Sequence, residues 1–382
     1  MTDIDNKNID INVNADMNMD MDEVRKRIDN KLITVRKHPF LDIFIYNYTH
    51  KTQFDGLWDQ YTERCRGLIM DGNGHVLNNP FRKFFNLGEK EYTRIENLPF
   101  EMPKITEKID GMLGILYEDG DNVAIATRGT FDSVYAEWAT NWLRLKGFKS
   151  KDFNNEYTYL FDIVYPDNKI IVDYRGRSEL VLLAVRSNSS NDELDHIKEA
   201  QKLGLPYAKE YSFDKIDDAV KYLDDRKGTE FEGFVCKYTN GLRVKIKSFD
   251  YKRLHKLLTG ISERDIWLSL RETGSLESII ENVPDEFMLW VKKVEMELKA
   301  SKMEIMNRAL AIVIDTKKLE SRREQFEYAT KTTDDKHGLR KIVLFLLDGR
   351  VDKAEFSAWQ MIKPSGEVFN TNQNYIPRKA WE

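Results

Sequence analysis

The 382-residue chain is poor in the features that build covalent frameworks or cross membranes. Its two cysteines, Cys65 and Cys236, are too few for a disulfide framework or a zinc site of four thiolates. The longest fully apolar run, residues 342–347, is far shorter than the roughly 20 residues that span a bilayer. The sequence therefore predicts neither a disulfide scaffold nor a membrane-spanning helix.

The N-terminal segment lacks the basic stretch followed by an apolar stretch that is typical of a secretory signal, which favours a cytoplasmic or otherwise intracellular protein. Residues 1–23 contain seven acidic side chains and a single lysine. Such a segment buries too little apolar surface to offset its ordering entropy, so we expect a disordered acidic tail there. The formal net charge of −5 does not exclude nucleic acid, because phosphate binding depends on local basic stripes.

Residues 24–100 alternate apolar and polar side chains between glycine-containing turns, which is typical of antiparallel hairpins. The predicted hairpins join residues 67–70 to 75–77, residues 112–117 to 123–127, and residues 231–238 to 242–247. The last of them has the strongest hairpin signal, the turn Thr239-Asn240-Gly241. Further strands are predicted at residues 157–165, 169–174 and 179–186.

Helical periodicity is interspersed with these strands and dominates the rest of the chain. A helix is predicted over residues 132–146, with Asp132 as N-cap and an apolar stripe of Val134, Trp138, Trp142 and Leu145. Shorter helices are expected at residues 194–203 and 216–223. A long helical pattern covers residues 284–314, with the apolar positions Phe287, Val291, Val294, Leu298, Ile305 and Leu310. The fold class is therefore α+β over residues 24–250, followed by an all-helical domain over residues 251–382.

The most suggestive short motif is Lys108-Ile109-Asp110-Gly111, a lysine followed two residues later by an Asp-Gly pair. A single motif of this kind arises by chance in roughly one chain in ten or twenty, so alone it is weak. The alternative interpretation is a charged strand end before an Asp-Gly turn.

The last predicted strand adds a second signal. Its period of two places Arg243, Lys245 and Lys247 on one face, and the turn brings Glu232 from the preceding strand toward the lysines. Lysines that neutralise phosphate beside an acid that holds a metal would suit phosphoryl chemistry. The alternative is a solvated basic face, which is common.

Taken in order, these elements resemble motifs of the covalent nucleotidyltransferases. Those motifs are Lys108-Ile109-Asp110-Gly111, Phe161-Asp162, Glu232-Gly233-Phe234-Val235 and Val244-Lys245-Ile246-Lys247. Upstream, Cys65-Arg66-Gly67 and the stretch from Arg82 to Leu87 look like elements of the phage-type RNA ligase 1 family. The resemblance covers about residues 24–250, and a phage or virus is a fitting source.

The resemblance implies a role for each matched residue. Lys108 would carry AMP, Lys245 and Lys247 would contact the α-phosphate, and Asp110 and Glu232 would hold waters around Mg²⁺. The remaining expected contacts to ATP or AMP are Glu107, Arg66, Lys83, Phe85, Arg128 and Asp162. Asp162 is also an expected metal ligand, although motif III usually presents glutamate, which is one methylene longer.

The resemblance also implies a reaction. Lys108 would attack the α-phosphorus of ATP, AMP would pass to an RNA 5′-phosphate, and an RNA 3′-hydroxyl would expel AMP to leave a phosphodiester. ATP and Mg²⁺, with Mn²⁺ able to substitute, are the expected cofactors, and RNA repair is the expected setting. The expected partner is RNA with these two ends, with no membrane partner, and a monomer is favoured.

Other functions fit parts of the pattern. A capping-type guanylyltransferase would share the Lys108 chemistry but use GTP, and a catalytically silent RNA-binding subunit is a further alternative. A DNA nick ligase is disfavoured because no pattern of short alternating strands follows residue 250. A fused repair enzyme is disfavoured because no kinase phosphate loop occurs and only one His-x-Thr is present, at His50.

The helical region offers one candidate RNA contact, a basic stripe made by Lys317, Lys318, Arg322 and Arg323. A solvated helix face explains the same pattern more simply. Trp290 falls on the apolar stripe and is expected in the core.

Overall fold

The structure, a computed structural model, describes residues 19–364 except 167–169, 191, 260, 282, 284–286 and 334–337. The strands are β1 (Ile33–Lys37), β2 (Ile43–Tyr48), β3 (Arg66–Asp71), β4 (Val76–Asn78), β5 (Phe85–Asn86), β6 (Lys104–Lys108), β7 (Met112–Asp119), β8 (Asn122–Thr127), β9 (Tyr157–Val164), β10 (Glu179–Ser187), β11 (Glu193–Leu194), β12 (Glu210–Tyr211), β13 (Gly233–Lys237) and β14 (Arg243–Lys247). The helices are α1 (Met21–Asp29), α2 (His50–Asp55), α3 (Gln60–Arg64), α4 (Val134–Leu145), α5 (His196–Leu203), α6 (Ile216–Asp224), α7 (Phe249–Thr259), α8 (Glu263–Thr273), α9 (Glu277–Ile280), α10 (Met288–Thr316), α11 (Arg322–Thr332), α12 (Leu339–Leu347) and α13 (Val351–Met361). Short 3₁₀ helices occur at Glu91–Thr93, Ile95–Asn97 and Ser150–Asp152.

The strands form three sheets, each built mainly from antiparallel neighbours. The first sheet has the order β1-β2-β3-β4, and the central sheet has the order β11-β10-β9-β7-β8. The third, which we call the lysine sheet, has the order β12-β6-β13-β14-β5, and only its β14–β5 pair is parallel. The three hairpins expected from the sequence are confirmed as β3–β4, β7–β8 and β13–β14.

Alternation along the strands buries both faces of the central sheet. In β7, Leu116 packs in a cluster with Ala139 and Leu143 of α4, whereas Ile115 packs with Ile45 and other residues on the opposite face. The lysine sheet buries its outer face, including Phe234, Cys236, Val244 and Ile246, against α6. Its inner face is thereby left for polar side chains, as the period of two predicted for β14.

Helix α4 begins later than the sequence suggested. The predicted N-cap Asp132 is wrong, because the Ser133 side chain accepts the hydrogen bond from the amide of Ala136. The predicted apolar stripe is also partly wrong, because Val134 and Leu145 are 68% and 89% exposed. The fully buried face is made by Ala136, Ala139, Thr140 and Leu143, while Trp138 and Trp142 pack partly buried against the same core.

The strand predicted at residues 169–174 is wrong within its described part, which is irregular from residue 170 onward. The amides of Ile171 and Val172 donate to a carboxylate oxygen of Asp110 at 2.9 and 2.8 Å. A buried side chain therefore supplies the acceptors that a neighbouring strand would have offered. The strands predicted at residues 157–165 and 179–186 are confirmed as β9 and β10.

The contacts between Cα atoms divide the described chain into two units between Leu258 and Thr259. This division and the boundary predicted after residue 250 both fall within α7. The second unit is helical, and a core around Ala309, Ile342, Val343 and Ala358 holds α10, α12 and α13 together. No helix in the described ranges combines the length and apolar character needed to cross a membrane.

The predicted acidic tail lies mostly outside the described residues. Its last three residues, 21–23, belong to α1, which Asp20 caps by accepting from the amides of Asp22 and Glu23. Among the positions predicted to be apolar in the long helix, Val291 and Val294 are buried as expected. Leu310 lies on α10 as the helical pattern predicted, but it is 43% exposed. Trp290 is buried, as expected.

Candidate active site

The inner face of the lysine sheet carries three parallel rows of side chains, set by the register of β6, β13 and β14. The first row is Lys108, Gly233 and Lys247; the second is Thr106, Val235 and Lys245; the third is Lys104, Lys237 and Arg243. Neighbouring rows are two residues apart, or about 7 Å. The first and third rows therefore lie about 13 Å apart on one surface.

A cavity of about 370 Å³ lies between this face and the central sheet. Thr106, Lys108 and Val235 line it from one side, and Leu113 and Asp162 line it from the other. Its wall also includes two residues predicted from the sequence, Arg66 and Glu107. Burial raises the pKa of Glu107. The cavity falls within the range of volumes that small-molecule sites occupy.

Lys108 is held at the cavity by a carboxylate that it shares with a second lysine. Its Nζ lies 2.9 Å from one carboxylate oxygen of Glu232, and the Nζ of Lys247 lies 3.0 Å from the other. Glu232 and Lys247 have almost fully buried side chains, whereas that of Lys108 is 22% exposed. Gly233 separates the two lysines in the row, and a Cβ there would lie 1.9 Å from the carbonyl oxygen of Ile246. Only glycine permits this close pairing of the strands.

Asp110 is buried beside this group and is held by four contacts. One carboxylate oxygen accepts from the amides of Ile171 and Val172, and the other accepts from the hydroxyl of Tyr251 at 2.7 Å. The amide of Asp110 itself donates to the hydroxyl of Tyr174. Burial, followed by the nearby charge of Glu232, raises the pKa of Asp110 despite these donors.

Tyr251 joins Asp110 to the lysine pair. Its ring lies 5.1 Å from the Nζ of Lys247, within the range of a cation–π contact. Lys108, Glu232, Lys247, Tyr251 and Asp110 therefore form one continuous set of contacts, which we call the Lys108 network.

Asp162 faces the Lys108 network from the central sheet. Burial raises its pKa to about 7, and the charges of Glu232 and Asp110 add to this effect while Lys108 opposes it. Among the described residues, none donates a hydrogen bond to its carboxylate. A cation would therefore stabilise the charged form of Asp162 strongly, since burial now penalises it.

The three predicted metal ligands are oxygen donors of the kind that Mg²⁺ prefers. Asp162 and Glu232 fit this role. Asp162 receives no hydrogen bond from the described residues, and Glu232 is bound by lysines that a cation can replace. Asp110, Asp162 and Glu232 do not converge as a compact triad: within the described ranges, only Asp195, His196 and Glu210 place three such ligand atoms within 4.8 Å of one another.

Lys83, Phe85 and Arg128 form a second group, centred on aromatic rings. The Nζ of Lys83 lies 5.1 Å from the ring of Trp58, 5.4 Å from Tyr48 and 5.6 Å from Phe85. Arg128 donates to the hydroxyl of Tyr48 at 2.9 Å. Arg128, an expected contact to ATP or AMP, is not part of the cavity wall described above. We call this group the Tyr48 cluster.

Strand β5 connects this cluster to the lysine sheet. Phe85 and Asn86 pair in parallel with Val244 and Lys245. Lys245 is therefore the member of the second row that lies beside the Tyr48 cluster. Asn86 donates to Glu89, while its buried side-chain oxygen accepts no hydrogen bond among the described residues. Lys245 is 7% exposed, and its predicted position on the face of Lys247 is confirmed.

The third row is dominated by an acid that the sequence did not single out. Glu193 of β11 pairs with Arg186, Lys237 and Arg243, at 2.9 Å for the first two. Burial would raise its pKa, but Arg243, Arg186 and Lys237 together lower it to about 2. This end of the cavity is therefore a closed ionic cluster.

The structure places the predicted site residues within one unit. Lys108, Asp110, Glu232 and Lys247 belong to the Lys108 network, and Lys83, Phe85 and Arg128 belong to the Tyr48 cluster. Arg66, Glu107 and Asp162 line the cavity, and Lys245 lies beside β5. The structure also adds Tyr48, Trp58, Tyr174, Tyr251 and Glu193, which sequence reasoning missed. Tyr251 follows Lys247 by four residues at the start of α7, and this spacing is the one signal that could have found it. Tyr174 lies 64 residues from Asp110, and Tyr48 lies 80 residues from Arg128, so no local pattern indicates them. Glu193 follows Arg186 by only seven residues, but it lies 50 residues from Arg243.

Comparison with known proteins identifies this arrangement. The RNA ligase family matches residues 64–256, which contain the cavity, the Lys108 network and most of the Tyr48 cluster. The chain belongs to the RNA ligase family. It is 25% identical over 329 residues to an RNA ligase of Rhodothermus phage RM378, covering 68% of this chain and 72% of the relative. It is 28% identical over 246 residues to a putative RNA ligase of Thermovibrio ammonificans, covering 60% of this chain and 62% of that relative.

Solved structures of ligases are more distant. A putative ATP-dependent DNA ligase from Aquifex aeolicus has a TM-score of 0.45 and 15% identity, covering 86% of this chain and 99% of its own. A mutant Naegleria gruberi RNA ligase, described with ATP and Mn, has a TM-score of 0.36 and 14% identity, covering 45% of this chain and 57% of its own.

Proposed function

We propose that this protein is an ATP-dependent RNA ligase in which Lys108 forms a covalent lysyl-AMP intermediate. The observation that carries the proposal is the position of Lys108, whose Nζ lies at the cavity and shares Glu232 with Lys247. Two cations on one buried carboxylate can exchange partners when a phosphate arrives. The family and the motif order support this assignment.

In the first step the Nζ of Lys108, after losing a proton to solvent, attacks the α-phosphorus of ATP. A nitrogen–phosphorus bond forms, and the bond to the bridging oxygen of pyrophosphate breaks. Lys245 and Lys247 neutralise charge on the α-phosphate, since positioning and neutralisation supply most of the catalysis of phosphoryl transfer. Glu232 is left paired with Lys247 once Lys108 has reacted.

Thr106 and Val235 of the second row line the cavity and accommodate the adenosine. Glu107 lines the same cavity. Arg66 and Lys83 contact the outer phosphates. Phe85 and Arg128 act from the Tyr48 cluster. Its Tyr48 and Phe85 rings are buried, so the partly exposed ring of Trp58 is the one that would stack against a base or ribose. These contacts fix the nucleotide so that the α-phosphorus lies over Lys108.

A divalent cation, for which Mg²⁺ is our proposal and Mn²⁺ a substitute, would be held by Asp162 and Glu232, and by Asp110 through water. When bound, it would supply charge neutralisation at the phosphate oxygens. The residues of the chain do the rest: Asp110 keeps the Lys108-to-Gly111 segment in place through its backbone contacts, and Tyr251 fixes the orientation of Asp110.

In the second and third steps, AMP passes from Lys108 to an RNA 5′-phosphate, and an RNA 3′-hydroxyl then displaces AMP. The lysines of the first and second rows serve again, because each step is a displacement at phosphorus. Repair of broken RNA is the role that these two ends suit.

The experiment is transfer of label from α-labelled ATP to the protein. Wild-type chain should retain label in denaturing gels and then seal RNA with a 5′-phosphate and a 3′-hydroxyl. Lys108→Ala should retain none, while Lys104→Ala, in the third row, serves as a matched control that keeps it. Label retained with GTP alone would support a guanylyltransferase, and full sealing by Lys108→Ala would overturn the proposal.

A further inference from the structure

The long helix α10 presents an apolar stripe to solvent at strict heptad spacing. Leu289, Met296, Met303 and Leu310 follow one another every seven residues, and they are 67%, 64%, 62% and 43% exposed. Ile314, one turn after Leu310, is 63% exposed. Isolated exposed apolar side chains are normal, but a continuous stripe over more than three heptads marks an interaction surface.

This stripe does not belong to the core of the second unit. The opposite side of α10 buries Val291, Val294, Ala309 and Val313, and it is the side that contacts α8, α12 and α13. The helix is thus apolar on two sides, and only one of them is covered. A helix that packs against its own domain on one side only would carry polar side chains on the side facing solvent.

The positions beside the stripe complete the pattern of a two-stranded coiled coil. With the stripe at heptad position d, position a holds Lys293, Ala300, Asn307 and Ile314. Lysine or asparagine at an a position fixes the register and the number of strands at a cost in stability, and here Lys293 and Asn307 occupy two of the four a positions. Positions g hold Lys292, Lys299, Met306 and Val313, and positions e hold Trp290, Glu297, Glu304 and Ala311. Trp290 and Val313 are buried within the second unit, so the charged flanks are those of the two middle heptads.

We propose that α10 pairs in parallel and in register with α10 of a second copy of this chain. In a parallel pair, each g position lies near the e position five residues later on the partner helix. Lys292 would then meet Glu297 of the second copy, and Lys299 would meet Glu304, so both flanks attract. In an antiparallel pair, g meets g and e meets e, which would place lysines against lysines and glutamates against glutamates.

The same charges argue against other occupants. RNA would need a basic surface, whereas this stripe is apolar and has glutamates along one flank. A membrane surface would favour lysine and arginine on both flanks. The inference is independent of the proposed ligase chemistry, because none of its residues belongs to the active site.

The first test is the mass of the full-length protein by light scattering at micromolar concentrations. We expect twice the 44.9 kDa of one chain. Met303→Lys should give the mass of one chain with an unchanged circular dichroism spectrum, since this side chain is exposed. A wild-type monomer at 100 µM, or a dimer that Met303→Lys leaves intact, would overturn the proposal.

Disulfide cross-linking tests the orientation. Leu289→Cys and Leu310→Cys lie 21 residues apart, or about 32 Å along the helix. In a parallel pair each variant places its two cysteines face to face and should cross-link with itself under mild oxidation. In an antiparallel pair at most one of them could do so. Ser301→Cys, exposed on the flank away from the stripe, is the matched control, and the natural cysteines are both buried.

Charge exchange tests the flanks. Lys299→Glu should weaken the dimer several-fold, and the double variant Lys299→Glu with Glu304→Lys should restore it. Lys299 also pairs with Glu295 of its own helix at 2.6 Å, and both variants lose that pair equally. Equal weakening in the single and double variants would overturn the parallel register.

Discussion

The first and third rows of the lysine sheet contain the same ingredients and use them differently. Each row has two basic side chains from β6, β13 or β14 bound to a buried glutamate. Glu193 in the third row has three basic partners, and they lower its pKa to about 2. Glu232 in the first row has two, and one of them, Lys108, reaches the cavity. The difference teaches that one additional partner turns an exchangeable ion pair into a fixed structural cluster.

The sharpest way to break this comparison is Glu193→Gln. Three basic side chains would lose their carboxylate in a buried place, and removing one member of a buried ionic cluster costs about 3–5 kcal/mol of unfolding free energy. We expect a large drop in denaturant midpoint, with lysyl-AMP formation retained at low temperature. An unchanged midpoint would show that the third row is solvated and not structural.

The corresponding change in the first row, Glu232→Gln, should act on chemistry more than on stability. Lys108 is partly exposed and can turn to solvent, so unfolding free energy should fall less than in Glu193→Gln. The rate of lysyl-AMP formation should fall by about 10²–10³-fold, because the charge that orients both lysines is gone. Single-turnover label transfer measures it, and a stability loss equal to that of Glu193→Gln would erase the contrast between the rows.

Asp162 allows a pH test of the first row without substrate. Its pKa is about 7 in the folded chain, well above the ordinary value of 3.8. At a pH between these two pKa values, Asp162 is protonated in the folded state and ionised in the unfolded state. Unfolding free energy should therefore fall as pH rises from about 4 to 7, by at most about 1.4 kcal/mol per pH unit, and then level off.

Asp162→Asn should remove this slope when the two proteins are compared in metal-free buffer by urea unfolding across the pH range. The control is Asp192→Asn, an exposed acid near the central sheet, which should leave the slope unchanged. Identical slopes in wild type and Asp162→Asn would contradict the raised pKa.

The smallest expected effect is that of Tyr251→Phe. The variant keeps the ring beside Lys247 and removes only the hydroxyl that donates to Asp110. A net loss of about 1 kcal/mol corresponds to a rate of lysyl-AMP formation roughly 5- to 10-fold lower. Tyr238→Phe, another buried tyrosine outside the network, is the control. Equal rates in both variants would show that the Tyr251 hydroxyl does not contribute to lysyl-AMP formation.

Local signals in the sequence were sufficient for the hairpins and for the face of β14. Glycine and asparagine mark the turns of β3–β4 and β13–β14, and the period of two alone placed Lys245 and Lys247 on the same side. The approach of Glu232 to the lysines also followed from hairpin geometry, and the structure confirms it. The catalytic roles of these residues stay predictions.

What the sequence could not supply depends on contacts between distant segments. The strand expected at residues 169–174 failed because a buried carboxylate 60 residues earlier binds its amides. The stripe on α4 was misplaced because the fully buried face is set by how the helix packs on the sheet, which leaves Trp138 and Trp142 at its partly buried edge. Glu193 lies on a two-residue strand, and its three partners come from β10, β13 and β14, so nothing near it in sequence reveals its burial.

The hydrogen bonds of Asp110 have a consequence for how this protein can change. The side chain that we place near the phosphates is also the acceptor that shapes the backbone at Ile171 and Val172. A substitution there would alter chemistry and local architecture together, so neither could be tuned separately through this position.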